Sequence, residues 1–207
     1  MNNNMAEQLI LKAAMEVIAE ATIGGVRMRL IAEKAGTSQA NLHYYYKTKR
    51  ELLMAVLAEL QKNFAEERRR TNGQKIADLK ENLDLFFEQK KDIIRNQPVI
   101  DFVQFNYWTY ACFDKKVRDI IFDLNESWRV SIQEVIHQHA PSVSEEHQQL
   151  LSYMMVSMML GASIQYLYRS DTMDLDRYFE LCETTLVDQI QKFETLDAQA
   201  RTQDGDT

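Results

Sequence analysis

Gln39, Asn41, His43, Tyr44 and Tyr45 fall within seven consecutive residues. The carboxamides of Gln39 and Asn41 each donate and accept at once, which is the pattern that a base edge presents in the major groove of DNA. Tyrosine rings pack on thymine methyls and sugars, and hydroxyls, imidazoles and cations hold phosphate oxygens. Ser38, Thr48 and Lys49 flank the run, and Arg27 and Arg29 stand just upstream. Residues 25–50 carry six cations (Arg27, Arg29, Lys34, Lys47, Lys49, Arg50) and one anion, Glu33, in a chain whose net charge is −7. A charged surface turn of an acidic helical protein is the bland alternative. It gives no reason for the local charge to reverse, whereas a nucleic-acid face does.

Side chains of this kind need a rigid frame, and the same stretch spells one. Leu30, Ile31, Ala35 and Leu42 are the apolar positions of two very short amphipathic helices, with Gly36 between them where positive φ is needed. Ala32 is small enough to let the two helices cross closely, and Leu42 closes the miniature core beneath the second. Ser38 is an N-cap for a helix beginning at Gln39. Thr48-Lys-Arg-Glu51 matches a capping box that starts the next helix. The spacing predicts a helix-turn-helix.

Ile31-Ala32, Ala35-Gly36, Ser38, Ala40, Leu42, Tyr44-Tyr45-Tyr46 and Lys49 together resemble the DNA-binding domain of the tetracycline-repressor (TetR) family of bacterial transcription regulators. The resemblance covers residues from about 5 to 65. Three positions depart from the family pattern. Arg27 stands where a capping Thr is usual, His43 replaces a phosphate-binding Tyr, and Tyr46 replaces a buried Phe. By this resemblance Gln39, Asn41 and Tyr44 read bases, supplemented by Arg29 and Arg27. Ser38, His43, Tyr45, Thr48 and Lys49 hold phosphates. Two copies would sit on a palindromic operator in double-stranded DNA, with half-sites roughly 34–36 Å apart.

Composition sets the wider frame. A chain of 207 residues with 45% hydrophobic residues, two prolines and six glycines is expected to be all-α, with about nine helices. Residues 1–70 are net basic and residues 71–207 strongly acidic, which keeps the second part away from DNA. The expected division is a helix-turn-helix DNA-binding domain over 1–50 and a ligand-binding and dimerisation domain over 51–196. A fourth helix, 48–70, links them, and a disordered tail follows over 197–207. Further helices are expected over 75–96, from Pro98, after Asp114 until Ala140-Pro141, from Ser144 to about 170, and from Asp174 to about 196. No run of about 18 apolar residues is seen, so no membrane span is expected, and the N-terminus lacks a signal pattern. Cys112 and Cys182 have neither CxxC spacing nor a His framework. They are expected to be buried reduced thiols of a cytoplasmic protein.

The second part offers weaker signals. The helix near 150–168 is apolar over much of its circumference, and with the last helix it has the pattern of a four-helix dimer interface or of an ordinary intrachain core. Met155, Met159, Ala162, Cys182, Leu186 and Gln189 are the candidate dimer contacts. The family resemblance implies a homodimer and a pocket for a small apolar or amphipathic inducer. Its candidate lining is Phe87, Phe102, Phe105, Trp108 and Phe122, then Asn125, Trp128, Met154 and Met158, with Gln104, Asn106 and Arg129 nearby to orient a ligand. Singly, each of these reads more readily as plain core. His137, His139 and His147 with Glu145 and Glu146 read as exposed helix-end residues and not as a metal site, and no cofactor is expected. No paired carboxylates, nucleophile–base set or phosphate loop can be assigned, so the chain does not read as an enzyme. The resemblance implies a ligand-responsive repressor. An activator of the same family, and a helical protein-interaction module without DNA binding, stay open as alternatives.

Overall fold

The computed structural model describes residues 3–72 and 76–204, and all regular structure among them is helical. The helices are α1 (Asn3–Gly25), α2 (Met28–Lys34), α3 (Gln39–Tyr45), α4 (Lys49–Asn72) and α5 (Leu79–Asn96). They are followed by α6 (Pro98–Ala111), α7 (Lys115–His139), α8 (Glu145–Tyr168) and α9 (Leu175–Asp204). Most of the starts are written in side chains. Asp78 Oδ1 accepts from Glu81 N at 2.9 Å, Asp114 Oδ1 from Val117 N at 3.2 Å, and Asp174 Oδ1 from Arg177 N at 3.1 Å. Ser144 Oγ accepts from His147 N, and Pro98 opens α6 at a position where its missing N–H costs nothing. The Asp78 cap explains why α5 begins at Leu79 and not at the expected 75.

The chain forms two compact units. The first comprises Met1–Glu67 and Gln97–Leu124, the second Arg68–Asn96 and Asn125–Thr207. This differs from a division at residue 50. α4 to Glu67, α6 and the beginning of α7 all belong with the N-terminal helices because Leu52, Val56, Leu57, Val103, Tyr107 and Val117 bury in one core with Ile10, Ile18, Ile31 and Leu42. α1 packs along α6 and against α2, and α2 on α3. The Tyr107 hydroxyl, buried, donates to the Leu53 carbonyl at 2.6 Å and so ties α6 to α4. In the second unit α5, α8 and α9 pack on one another around Phe86, Phe87, Leu151, Met155, Phe179 and Leu186.

Several expectations are corrected here. α9 runs to Asp204, so residues 197–204 are helical and not a disordered tail. Ala198-Gln-Ala-Arg201 are good helix formers, and Asp197 Oδ2 accepts from Ser144 N at 2.7 Å and meets His147 Nδ1 at 2.8 Å. Residues 205–207 lie outside the described residues. Cys182 is buried, but Cys112 is exposed beyond the end of α6. α8 is, by length and composition, apolar enough to cross a membrane. Leu151, Met155, Val156, Met159 and Ala162 are nevertheless buried in the second unit's core, and the Ser152 and Ser163 hydroxyls are buried with them, as in a core helix.

Candidate nucleic-acid interface

Four capping devices hold the helix-turn-helix. Gly36 turns the chain at φ 65, with Thr37 N donating to Ala32 O at 2.9 Å. Ser38 Oγ accepts from Asn41 N at 3.1 Å and starts α3. Thr48 Oγ1 accepts from Glu51 N at 3.1 Å, while Glu51 Oε2 reaches back to Lys47 N at 2.9 Å, one residue earlier than a capping box requires. Arg27 makes no cap bond to α2. It instead donates from Nη1 to the carbonyls of Gly24 (2.9 Å) and Val26 (3.0 Å), a cation placed where α1 leaves its last carbonyls exposed.

α3 is anchored from below. Leu42 is fully buried, and Tyr46 is buried with its hydroxyl donating to Glu7 Oε1 at 2.9 Å. Burial, reinforced by that carboxylate, pushes the Tyr46 phenol far above its ordinary range. Tyr46 therefore keeps a core position while spending its extra oxygen inside the fold.

The opposite face is open. Gln39, Ala40, Asn41, His43 and Tyr44 are exposed, Tyr44 to 72%. Tyr45 is half-buried with its ring edge-on to Tyr44 at 5.3 Å. Asn41 Nδ2 donates to Thr37 Oγ1 at 2.8 Å, which fixes the amide and leaves its oxygen and second N–H to other partners. Ser38 and Thr48 accept backbone N–H groups, so each hydroxyl keeps its own proton to donate to a phosphate. Arg29 pairs with Glu33 at 2.6 Å. Lys49 is turned inward, its Nζ donating to the Ile23 carbonyl at 2.6 Å. Desolvation, then the nearby charge of Arg27, lower its pKa. One of its three N–H donors is thus spent on that carbonyl.

The Ile23 peptide is held from both sides. Thr22 has φ 59 and kinks α1, which takes Ile23 N out of the helix, and Asn106 Oδ1 on α6 accepts from it at 3.2 Å. Beside this kink lies a groove of about 750 Å³ within the first unit, bordered by α1, the first turn of α4 and one face of α6. The sequence had no signal for the kink beyond the Gly24-Gly25 pair that follows it.

The ligand candidates do not share one compact unit. Phe102, Phe105, Trp108 and Phe122 belong to the first, and Phe87, Asn125, Trp128, Met154 and Met158 to the second. Phe102 and Phe122 are exposed, and Phe105 meets Trp108 edge-on at 5.1 Å. Trp108 Nε1 is buried with no hydrogen-bond partner among the described residues. Phe87 is fully buried against Phe179 at 5.3 Å. Asn106 holds Ile23, and Arg129 pairs with Glu126 and covers the Tyr153 ring at 4.4 Å. None of the nine lines the groove in the first unit.

The dimer candidates are corrected. Met155, Met159, Ala162, Cys182 and Leu186 are buried in the second unit's own core, leaving only Gln189 half-exposed. The apolar residues exposed on α8 and α9 are instead Leu150, Tyr153, Tyr168, Leu181 and Leu196.

Known proteins share both the local motif and the whole fold. The HTH-type transcriptional regulator RutR of Escherichia coli K12 is 39% identical over 54 residues, which are 26% of this chain and 26% of RutR. The chain thus spans about a quarter of the length of the curated relatives it matches. A transcriptional regulator from Saccharomonospora viridis, solved in complex with choline, superposes with a TM-score of 0.76 at 24% identity, covering 91% of this chain and 97% of that one. The regulator FadR of Bacillus subtilis, solved in complex with stearoyl-CoA, gives 0.74 at 20% identity, covering 87% and 97%. At such identities these likenesses concern the fold. Residues 10–56 match the bacterial regulatory proteins of the tetR family. The N-terminal stretch is thus similar to that family, and the rest of the chain shares its fold with solved transcriptional regulators.

Proposed function

We propose that the protein binds double-stranded operator DNA as a homodimer in the cytoplasm and represses transcription until a small apolar or amphipathic inducer releases it. The observation that carries this reading is the open face of α3, where Gln39, Asn41 and Tyr44 stand exposed on a helix capped by Ser38 and anchored in the core by Leu42. Gln39, Asn41 and Tyr44 read bases, with Arg29 and Arg27 beside them once freed from Glu33 and from the end of α1. Ser38, His43, Tyr45, Thr48 and Lys49 hold the backbone. A helix of seven residues offers few base contacts, each worth about 1–3 kcal/mol, so one copy has too little discrimination and two copies on a palindrome supply it. Leu150, Tyr153 and Leu181 are the exposed apolar residues through which α8 and α9 would pair.

Small-molecule control is supported by the choline and stearoyl-CoA complexes of proteins with this fold. The unsatisfied Trp108 indole N–H gives a ligand acceptor something to meet. An inducer acts only by binding the DNA-free form better, a coupling typically about 1–3 kcal/mol. The test is selection of bound sequences from random duplex DNA by the purified chain. Enrichment of a palindrome with half-sites about one helical turn apart is expected, and failure to enrich any sequence would overturn the reading.

A further inference from the structure

The groove in the first unit has walls of contrasting chemistry. Ile23 and Leu53 give it an apolar floor, and Tyr110 and Phe113 an aromatic side, with Phe113 85% exposed. Lys49 and Arg50 stand at the edge made by the first turn of α4, and no carboxylate is among the residues that line it. The two cations are not equivalent. Arg50 is already paired with Asp114 and lies 3.4 Å from the Tyr110 hydroxyl. Lys49 donates to a neutral acceptor, the Ile23 carbonyl.

That leaves a half-buried ammonium beside a second cation, Arg27, at the positive end of a 24-residue helix. Desolvation and the Arg27 charge both disfavour the ammonium, and the opposite charge of a carboxylate at this spot would offset them. Ile23 directly follows the Thr22 kink (φ 59), and it offers its N–H to Asn106 and its carbonyl to Lys49. A volume of about 750 Å³ falls within the range of small-molecule sites, about 300–1,000 Å³.

We propose that this groove binds a small amphipathic carboxylate, its carboxylate pairing with Lys49 Nζ and its apolar body lying against Leu53, Tyr110 and Phe113. The occupant offers the ammonium a charged acceptor where it now meets a neutral one, and charge-assisted hydrogen bonds are roughly twice as strong. None of the nine lining candidates named above for an inducer borders it, and of the residues named to orient a ligand Asn106 does. Because Lys49 is also the residue assigned to a DNA phosphate, an occupied groove competes with DNA for it. That consequence rests on the proposed function, whereas binding itself does not.

The test titrates the full-length chain, with isotope-labelled isoleucine and leucine methyls, with 4-phenylbutyrate and with its uncharged analogue 4-phenylbutanamide. Saturable shifts at the Ile23 and Leu53 methyls are expected, with the acid bound about tenfold tighter than the amide. Lys49→Met should erase that preference. Phe113→Ala, at a position too exposed to matter for folding, should weaken both ligands alike. The proposal is overturned if no saturable shift occurs, if the shifts fall on Leu151 and Ile190 instead, or if the acid-to-amide ratio survives Lys49→Met. Binding with the expected signature but without loss of DNA affinity supports the groove and counts against the phosphate role of Lys49.

Discussion

Gln39, His43 and Tyr44 stand on a short helix with their polar atoms facing solvent, whereas the polar residues of the second unit are spent on one another. That holds for a buried or half-buried set there: Gln133 Nε2 donates to Ser152 Oγ at 3.0 Å, Gln148 Nε2 to the Val143 carbonyl at 2.8 Å, and His147 is stacked on Phe193 at 3.8 Å while it meets Asp197. Both regions are equally helical. The difference lies in where hydrogen-bonding capacity is left over, and that residue of unspent capacity is what marks a surface built for an outside partner.

The comparison breaks first at the cores. Leu42→Ala should cost about 2–5 kcal/mol of unfolding free energy and Phe87→Ala about 3–5, both read by denaturant titration. Leu42→Ala should in addition abolish DNA binding, since α3 has no other fully buried anchor within its span. If Phe87→Ala abolishes it equally at temperatures where the chain stays folded, the contrast between the regions is wrong. Gln39→Ala tests the open face directly. It should leave stability unchanged while costing about 1–3 kcal/mol on the selected operator and relaxing preference at one base pair. Lys49→Ala should weaken all sequences alike and reduce the salt slope of binding by about one unit; unequal losses across operator variants would make it a reader.

The smallest effect concerns the second unit's spent charges. Arg95 Nη2 at 2.6 Å and Lys91 Nζ at 3.0 Å hold the Asp176 carboxyl down at about 2. A carboxyl depressed in the folded state adds stability above the ordinary aspartate range and loses it as pH falls toward that value. The difference in melting temperature between the native chain and Asp176→Asn should therefore shrink between about pH 5 and pH 2. A difference constant across that window would show the pair to be idle.

What could be read from the sequence was what local chemistry decides. Ser38, Thr48, Ser144 and Asp174 all sit where a cap is expected, because a cap needs only a side chain and the N–H two or three residues on. Gly36 turns at positive φ for an equally local reason. The burial phase of α8 was not legible. A helix apolar around most of its girth carries no periodic signal to say which side its own chain takes, so Met155, Met159 and Ala162 read as dimer contacts or as core alike, and they lie inward. Arg27 was legible as a missing cap, but its use at the end of α1 depends on where that helix stops. Lys49 turns inward to the carbonyl of Ile23, next to Thr22, a β-branched residue at positive φ, which local preference argues against. The membership of α6 in the first unit rests on contacts across more than fifty residues, Tyr107 to Leu53 among them, and no window along the chain contains both.

Asp197 gives the end of α9 a role at the beginning of another helix. Its carboxylate takes the backbone N–H of Ser144, the residue that caps α8, and faces the ring of His147 one turn in. A shortened chain ending at residue 196 would look like the removal of a polar tail. It would in fact take away the acceptor at the start of α8 and loosen the first turn of the helix whose buried face organises the second unit. Where this protein is cut thus decides how one of its central helices begins.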